Sequence, residues 1–361
     1  MKTIHYTVGS SQPGSHQFDV AIRIPARDQE SVEVRLPVWI PGSYMVRDYA
    51  RHVIEVRAID DDGQSLIVER SGKSTWRIAT GRGDTTALFV IYGWDLSVRG
   101  AHIDQSHAYF NGACVFPEVI DYEGAVSLEI QRPVGILADA IVATSMRAET
   151  VDAAGFGQYV ASDYDELIDH PVEIAVQQHV RFDVEGIPHD FFVRGAPSFD
   201  TRRFAADCAK ICSQHHTLLG KPAELDRYVF LAYALEQGYG GLEHRWSSSL
   251  AISRGALPQP DNRTNEKAYR HLLGLISHEY FHLWNVKRLK PAAFIPMDMS
   301  QEVHTRLLWV FEGITSYYDD LALVRAGVVS LAEYGELLAG NLTRILRTPG
   351  RLRQSLTDSS F

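Results

Sequence analysis

The stretch "GLISHEYFHLWNVKRLKP", residues 274–291, holds two histidines four positions apart, with a glutamate directly after the first. Residues four apart share one face of an α-helix, so His278 and His282 can offer both imidazoles to one ion. Glu279 lies about 100° around the helix axis, where it can reach a water on that ion without ligating it. This H-E-x-x-H pattern indicates zinc, which takes three protein ligands and lowers the pKa of a water in the fourth position.

The motif alone does not establish a metal site, because the chain has fifteen histidines and such a pattern can arise by chance in a packed helix. A third ligand is required, and several downstream residues could supply it: Asp298, Glu302, His304, Glu312 and Asp319. Glu312 is favoured because it lies within the apolar segment "LLWVFEGITSYYDDLALVRAG", where burying an unpaired carboxylate would be costly. A metal ion would offset that cost.

Composition limits the classes of protein that the chain can belong to. It has 361 residues, of which 45% are apolar and 22% charged, as expected for a globular protein of about two domains. The net charge of -10 argues against a nucleic-acid surface and mildly favours a cationic partner such as a peptide amino terminus. The chain has no apolar run of about 18 residues and no secretion signal, so we expect no membrane partner and a cytoplasmic location.

The texture of the sequence changes near residue 170. Residues 1–170 contain short alternating runs such as "SVEVRLPVWI" and "TALFVIYGW" between turn signals, which predicts an antiparallel β-sandwich domain. Residues 171–361 are predicted to form an α+β domain with helices over about 199–219, 266–284 and 302–326. Ser330 and Glu333 form a capping-box pattern that opens a last helix, which should stop near Pro349.

A second metal site could be suggested by the spacing of Cys208, Cys212, His215 and His216 on the first of these helices. The simpler interpretation is that both cysteines are small apolar residues on the core face, with the histidines at the helix end. This interpretation predicts one zinc ion per chain.

Four segments together resemble the glycyl aminopeptidases, zinc peptidases of the gluzincin clan that are related to thermolysin and aminopeptidase N. They are "HEYFHLWNVKRLKP", "WVFEGITSYYDDLAL", "GGLEHRWSSSL" and "LPVWIPGSYMVRDYARHV". The resemblance implies a thermolysin-like catalytic domain over 171–361, with His278, His282 and Glu312 as zinc ligands and Glu279 as the catalytic glutamate. The interval from His282 to Glu312 is longer than in aminopeptidase N, which suggests an insertion between two helices.

The same resemblance aligns "GGLEH" with a substrate-binding strand. Gly240 and Gly241 would let a substrate backbone approach closely, and Glu243 would bind its terminal ammonium. The alternative is a tight glycine turn beside a solvated Glu-His pair. The implied activity is removal of the N-terminal residue, Gly or Ala, from peptides with a free amino terminus.

Two other functions stay open at this stage. One is a gluzincin endopeptidase, and the other is a catalytically weak zinc-binding or scaffold fragment. The second arises because relatives of this type carry an oxyanion-stabilising tyrosine, and then a PDZ-like domain, in a C-terminal region that we expect to be missing from this chain. Tyr317 and Tyr318 point away from Glu312 on the predicted helix, so neither is a good substitute.

Overall fold

The computed structural model describes residues 3–260 and 263–360. These residues form two compact units. The first unit runs to Gln177 and also includes Asp298–Glu302, while the second holds Gln178–Met297 and the chain from Val303 onward. Within the described ranges, no helix is both long and apolar enough to cross a membrane.

The first unit consists mainly of short strands. They are β1 (Ile4–Gly9), β2 (Gln17–Ile24), β3 (Ser31–Arg35), β4 (Val53–Asp60), β5 (Val68–Arg70), β6 (Thr75–Ala79), β7 (Thr85–Tyr92), β8 (Ala101–Ile103), β9 (His107–Phe110), β10 (Glu118–Val119), β11 (Val126–Ile130), β12 (Ile141–Thr144), β13 (Arg147–Val151), β14 (Gly157–Ala161) and β15 (Val172–Ala175). Two short helices, α1 (Gly112–Val115) and α2 (Tyr164–Ile168), lie between strands. The β-rich first half predicted from the sequence is therefore confirmed.

These strands form three sheets: β13-β14-β11-β1-β2-β7-β4, β10-β3-β6-β5 and β12-β15-β9-β8. Side chains alternate between more and less buried positions along β2 and β7, as expected for strands with one face on a core. The expectation of a purely antiparallel domain is wrong at one place, because β1 pairs with β11 in parallel. A parallel pair needs a long crossover, and more than a hundred residues separate these two strands in sequence. The packing of the sheets into a sandwich stays a prediction.

The two units divide after Gln177, whereas the sequence predicts a boundary near residue 170. The difference arises because β15, at Val172–Ala175, pairs with β9 and β12 of the first unit. Composition alone does not reveal such a long-range strand pairing.

The second unit combines a five-stranded sheet with helices. Its strands are β16 (Gln178–Val184), β17 (Ile187–Arg194), β18 (Tyr228–Leu235), β19 (Tyr239–Glu243) and β20 (Ser247–Ser253), in the order β16-β17-β18-β20-β19. The pairs β17/β18 and β18/β20 are parallel, and β19 is an antiparallel edge strand against β20. The predicted mixture of helices and strands in this half is confirmed.

The helices of the second unit are α3 (Thr201–Leu219), α4 (Glu266–Phe281), α5 (Thr315–Arg325), α6 (Leu331–Arg347) and α7 (Leu356–Ser359). Asn265 caps α4 by accepting a hydrogen bond from the Ala268 amide at 3.2 Å. The predicted capping box opens α6, since Glu333 accepts from the Ser330 amide while Ser330 Oγ accepts from the Glu333 amide. Cys208 and Cys212 are buried in the core beneath the sheet, as the simpler interpretation of α3 predicts.

The helix predicted from residue 302 begins later than expected. A π-helix covers Trp309–Ile314 and continues directly into α5. Glu302 precedes this helix in a stretch without regular secondary structure, and it groups with the first unit. The acidic residue that suggested a helix start therefore lies in a connection, not in a first helical turn.

Candidate metal centre

Three side chains of the second unit converge on one point. Nε2 of His278 lies 3.1 Å from Nε2 of His282, and Glu312 Oε2 lies 3.5 Å and 3.8 Å from these two nitrogens. Atoms that ligate a tetrahedral zinc ion at about 2.1 Å lie about 3.4 Å apart, which is close to all three separations. The imidazole planes meet at 85°, so both lone pairs can point to a common centre. The donor set fits a zinc ion.

The two histidines present the same nitrogen to this point because each donates its other ring N–H elsewhere. His278 Nδ1 donates to Asp319 Oδ2 on α5 at 2.9 Å, and His282 Nδ1 donates to the carbonyl oxygen of Asn285 at 2.9 Å. A carbonyl oxygen can only accept, so the tautomer of His282 follows from its partner. Outer partners of this kind fix the orientation of imidazole ligands.

The carboxylates around His278 favour a positive charge at this position. Burial lowers the pKa of His278, but its hydrogen bonds with Asp319 and Glu312 outweigh burial and raise the pKa to about 11. The carboxylates thus hold a positive charge at this position. A divalent cation bound between the imidazoles and Glu312 would supply that charge in place of the proton.

Glu312 lies in the π-helix, a form of helix that occurs frequently at functional sites. Its side chain is 36% exposed, so the expectation of a buried carboxylate is wrong. The structure nevertheless places Glu312 opposite the two imidazoles. Among the residues that the structure describes, Asp298, Glu302 and His304 join no group of potential metal ligands.

Glu279 is buried beside the three ligand residues, with 4% of its surface exposed. Its Oε2 atom has no hydrogen-bond partner within the described part of the chain. Burial raises the pKa of Glu279 to about 7, against the opposing effect of His278 and His282. A buried carboxylate oxygen without a protein partner is suited to bind a water molecule or a substrate atom.

Glu243 reaches the same space from the edge strand β19. It is 5% exposed, and one of its oxygens lies within 4.8 Å of ligand atoms of Glu279 and His282. The structure therefore brings the residue predicted to bind the substrate next to the predicted catalytic glutamate. The two carboxylates lie on different elements, β19 and α4, and approach each other beside His282.

Gly240 and Gly241 are in regular strand structure, paired with Ala251 and Leu250 of β20, and not in a tight turn. They differ in their surroundings. A Cβ atom on Gly240 would meet nothing within 4 Å, whereas one on Gly241 would overlap the carboxyl group of Glu279. Gly241 thus leaves the room that the side chain of Glu279 occupies.

A second group of potential ligands, His102, Asp104 and His107, lies in the hairpin of β8 and β9. The two imidazoles are stacked, with centroids 4.5 Å apart and planes inclined by 12°. An imidazole binds a metal in the plane of its ring, so two parallel stacked rings cannot share one ion. Asp104 instead accepts hydrogen bonds from the Ser106 and His107 amides in the hairpin turn.

The geometry of the second unit defines a class of site, two histidines and one carboxylate with a buried glutamate beside them, and comparisons with known proteins identify the family. The model of the peptidase M61 N-terminal domain matches residues 5–176, and the model of the M61 glycyl aminopeptidase matches residues 271–361. The two matches together span about three quarters of the chain. The chain belongs to the M61 glycyl aminopeptidase family.

Solved structures agree with this assignment. An aminopeptidase N family protein from Idiomarina loihiensis is 36% identical with a TM-score of 0.95, over 99% of this chain and 61% of that chain. This chain therefore spans about three fifths of that relative. The M1 zinc metallopeptidase from Deinococcus radiodurans is 12% identical with a TM-score of 0.54, over 96% of this chain and 74% of that one, and shares its fold. No curated protein matches the sequence.

Proposed function

We propose that this chain carries the active site of a zinc-dependent aminopeptidase that removes the N-terminal residue from peptides. His278, His282 and Glu312 bind one zinc ion. The proposal is carried by the near-tetrahedral spacing of their three ligand atoms beside the unpartnered oxygen of Glu279. Membership of the M61 glycyl aminopeptidase family supports it.

In the proposed reaction, the zinc ion and Glu279 have separate roles. A bound zinc ion would polarise the scissile carbonyl and lower the pKa of the attacking water. Glu279 accepts a proton from this water and later donates it to the leaving amine. Burial raises the pKa of Glu279 to about 7 in the metal-free chain, so its carboxylate takes up a proton more readily than an exposed one would.

Glu243 would determine which bond is cleaved. Its carboxylate can pair with the ammonium of a substrate's first residue, which holds the first peptide bond next to Glu279. The substrate backbone would run along the edge strand β19, where Gly240 presents no side chain. A preference for N-terminal glycine or alanine is proposed from the family.

The test compares peptides of several residues with free and acetylated amino termini, for example Gly-Ala-Ala-Ala and its acetylated form, on the zinc-loaded chain. We expect cleavage of the free forms only, and a large loss of cleavage in Glu243→Gln. Cleavage of blocked peptides at internal bonds would instead identify an endopeptidase. Bound zinc without cleavage of either set would leave a zinc-binding protein that does not hydrolyse peptides.

A further inference from the structure

Asn285 lies in the turn that follows α4 and forms hydrogen bonds near two of the proposed metal ligands, His282 and Glu312. Asn285 follows His282 by three positions and is 8% exposed. Its carbonyl oxygen accepts the hydrogen bond from His282 Nδ1 at 2.9 Å. Its side-chain Nδ2 donates to the carbonyl oxygen of Val310 at 3.0 Å and to Thr315 Oγ1 at 3.1 Å.

The side-chain contacts of Asn285 surround the turn that presents Glu312. Val310 and Phe311 immediately precede Glu312 in the π-helix. Thr315 is fully buried and donates its hydroxyl to the Phe311 carbonyl at 2.6 Å, while it accepts from Asn285. The side-chain amide of Asn285 and the hydroxyl of Thr315 therefore form hydrogen bonds with backbone carbonyl groups of this helical turn. Side chains that bond to helix carbonyls in this way are one cause of a departure from α-helical geometry.

The backbone around Asn285 is held firmly. Its amide donates to Phe281 at 3.2 Å, and the Lys287 amide donates to the His282 carbonyl at 3.1 Å. Val286, the next residue, has a φ of 127°, a conformation that β-branched residues rarely adopt. Strained residues persist where the surrounding structure fixes them, and they cluster at functional sites.

We propose that Asn285 is a positioning residue that sets the distance between His282 and Glu312, with Thr315 as its partner. The proposal rests on the proposed zinc site. Asn285 acts through other groups: its carbonyl fixes the imidazole of His282, and its amide fixes the π-helix of Glu312. Because one residue contacts both, through its backbone carbonyl and its side-chain amide, loss of the side chain releases the π-helix from the turn that orients His282 and lets the two ligands move relative to each other.

A purely structural role would give a different result from a positioning role. If Asn285 and Thr315 only satisfy buried carbonyl groups, their removal lowers the stability of the metal-free chain and leaves its intrinsic affinity for zinc unchanged. A positioning role predicts weaker zinc binding in protein that is still folded. The deciding readout is therefore zinc affinity at a temperature where the variant is native.

The experiment measures the zinc dissociation constant of the full chain by competition with a chromophoric chelator. In Thr315→Val, which removes only the hydroxyl, and in Asn285→Ala we expect zinc affinity to fall about tenfold to a hundredfold, the usual effect of losing an outer partner of a metal site. Thr315→Ser keeps the hydroxyl and should bind zinc like the wild type. Asn111→Ala removes another buried asparagine, the cap of α1 in the first unit, and controls for general destabilisation.

Wild-type affinity in both folded Thr315→Val and folded Asn285→Ala would overturn the proposal. If Asn285→Ala does not fold, the Thr315→Val and Thr315→Ser pair decides alone. His278→Ala separates this outcome from failure of the proposed function. If His278→Ala loses zinc but the Asn285 and Thr315 variants keep wild-type affinity, the positioning role is excluded and the zinc site remains. If the wild-type chain binds no zinc, both proposals are excluded.

Discussion

Gly241 on β19 leaves the space that the carboxyl group of Glu279 on α4 occupies. A methyl group at this position would overlap the Oε1, Cδ and Cγ atoms of Glu279. Glu279 is buried and its helix is packed into the core of the second unit, so it has little room to retreat. The glycine therefore serves the placement of a side chain on another element more than the conformation of its own backbone.

Gly241→Ala should reduce peptide cleavage strongly while zinc stays bound. Displacement of a reacting group by about 1 Å can cost on the order of a hundredfold in rate, and we expect a loss of at least that size in kcat. The matched control is Gly240→Ala, whose added methyl group meets nothing within 4 Å. The control should fold with unchanged stability and alter at most KM; equal kcat values for both variants would contradict the explanation.

Glu279→Gln should bind zinc with near wild-type affinity and lose turnover. The amide keeps the size of the carboxylate but cannot accept the proton of the attacking water, and general-base catalysis is worth about a hundredfold to ten-thousandfold. Metal content and steady-state rates on a free-amino substrate measure the two effects separately. Undiminished hydrolysis would remove Glu279 from the proposed reaction.

Asp319→Asn should weaken zinc binding about tenfold to a hundredfold, because the Asp319 carboxylate orients His278 and increases its basicity. Asp320→Asn provides a control one residue further along α5. Asp320 contacts Asn341 and does not bond to His278. A chelator competition should rank the wild type and Asp320→Asn together and above Asp319→Asn; the reverse order would exclude the role of Asp319.

Zinc content should be one ion per chain, bound by the second unit only. A combined His102→Ala and His107→Ala variant should keep one zinc, because these stacked rings cannot share an ion as they stand. Glu312→Ala should lose most of its zinc when it is dialysed under the same conditions as the other variants. Elemental analysis that shows a second zinc, lost in the His102/His107 variant, would contradict this expectation.

The buried histidines His189 and His215 should each make the metal-free chain less stable as pH falls below about 6.5. Burial lowers the pKa of His215 to about 3 and that of His189 to about 4, whereas an unfolded histidine titrates at 6.5. The unfolded chain therefore binds more protons between these values, and the free energy of unfolding falls as pH falls, by up to about 1.4 kcal/mol per pH unit for each histidine. Urea unfolding at pH 7, 6 and 5 measures the slope, which should be shallower in His215→Gln. Equal slopes in the wild type and in His215→Gln would show the assignment to be wrong.

Much of the site follows from local periodicity, and the rest depends on tertiary structure. Helical spacing predicts that His278 and His282 share a face with Glu279 beside them, and α4 has this arrangement. The choice of Glu312 relied on its apolar neighbours, yet its side chain is partly exposed. Its position depends on how two distant helices pack, which no local pattern encodes.

Asp319 and Asn285 show a second kind of limit. Asp319 is a possible ligand in the sequence, but the structure places it on the outer side of His278, seven residues after Glu312. The role of Asn285 depends on a strained turn and on a π-helix. The apolar pattern of six residues cannot distinguish a π-helix from an α-helix, so the sequence predicted an ordinary helix here.

The π-helix of Trp309–Ile314 has a consequence for insertions and deletions. One residue fewer in this turn would restore ordinary α-helical spacing and swing the carboxylate about 100° around the axis. Substitution mutagenesis would not reveal this dependence on length, because a substitution never changes the number of residues in the π-helix. The direction in which Glu312 points therefore depends on the number of residues in the π-helix as well as on their identities.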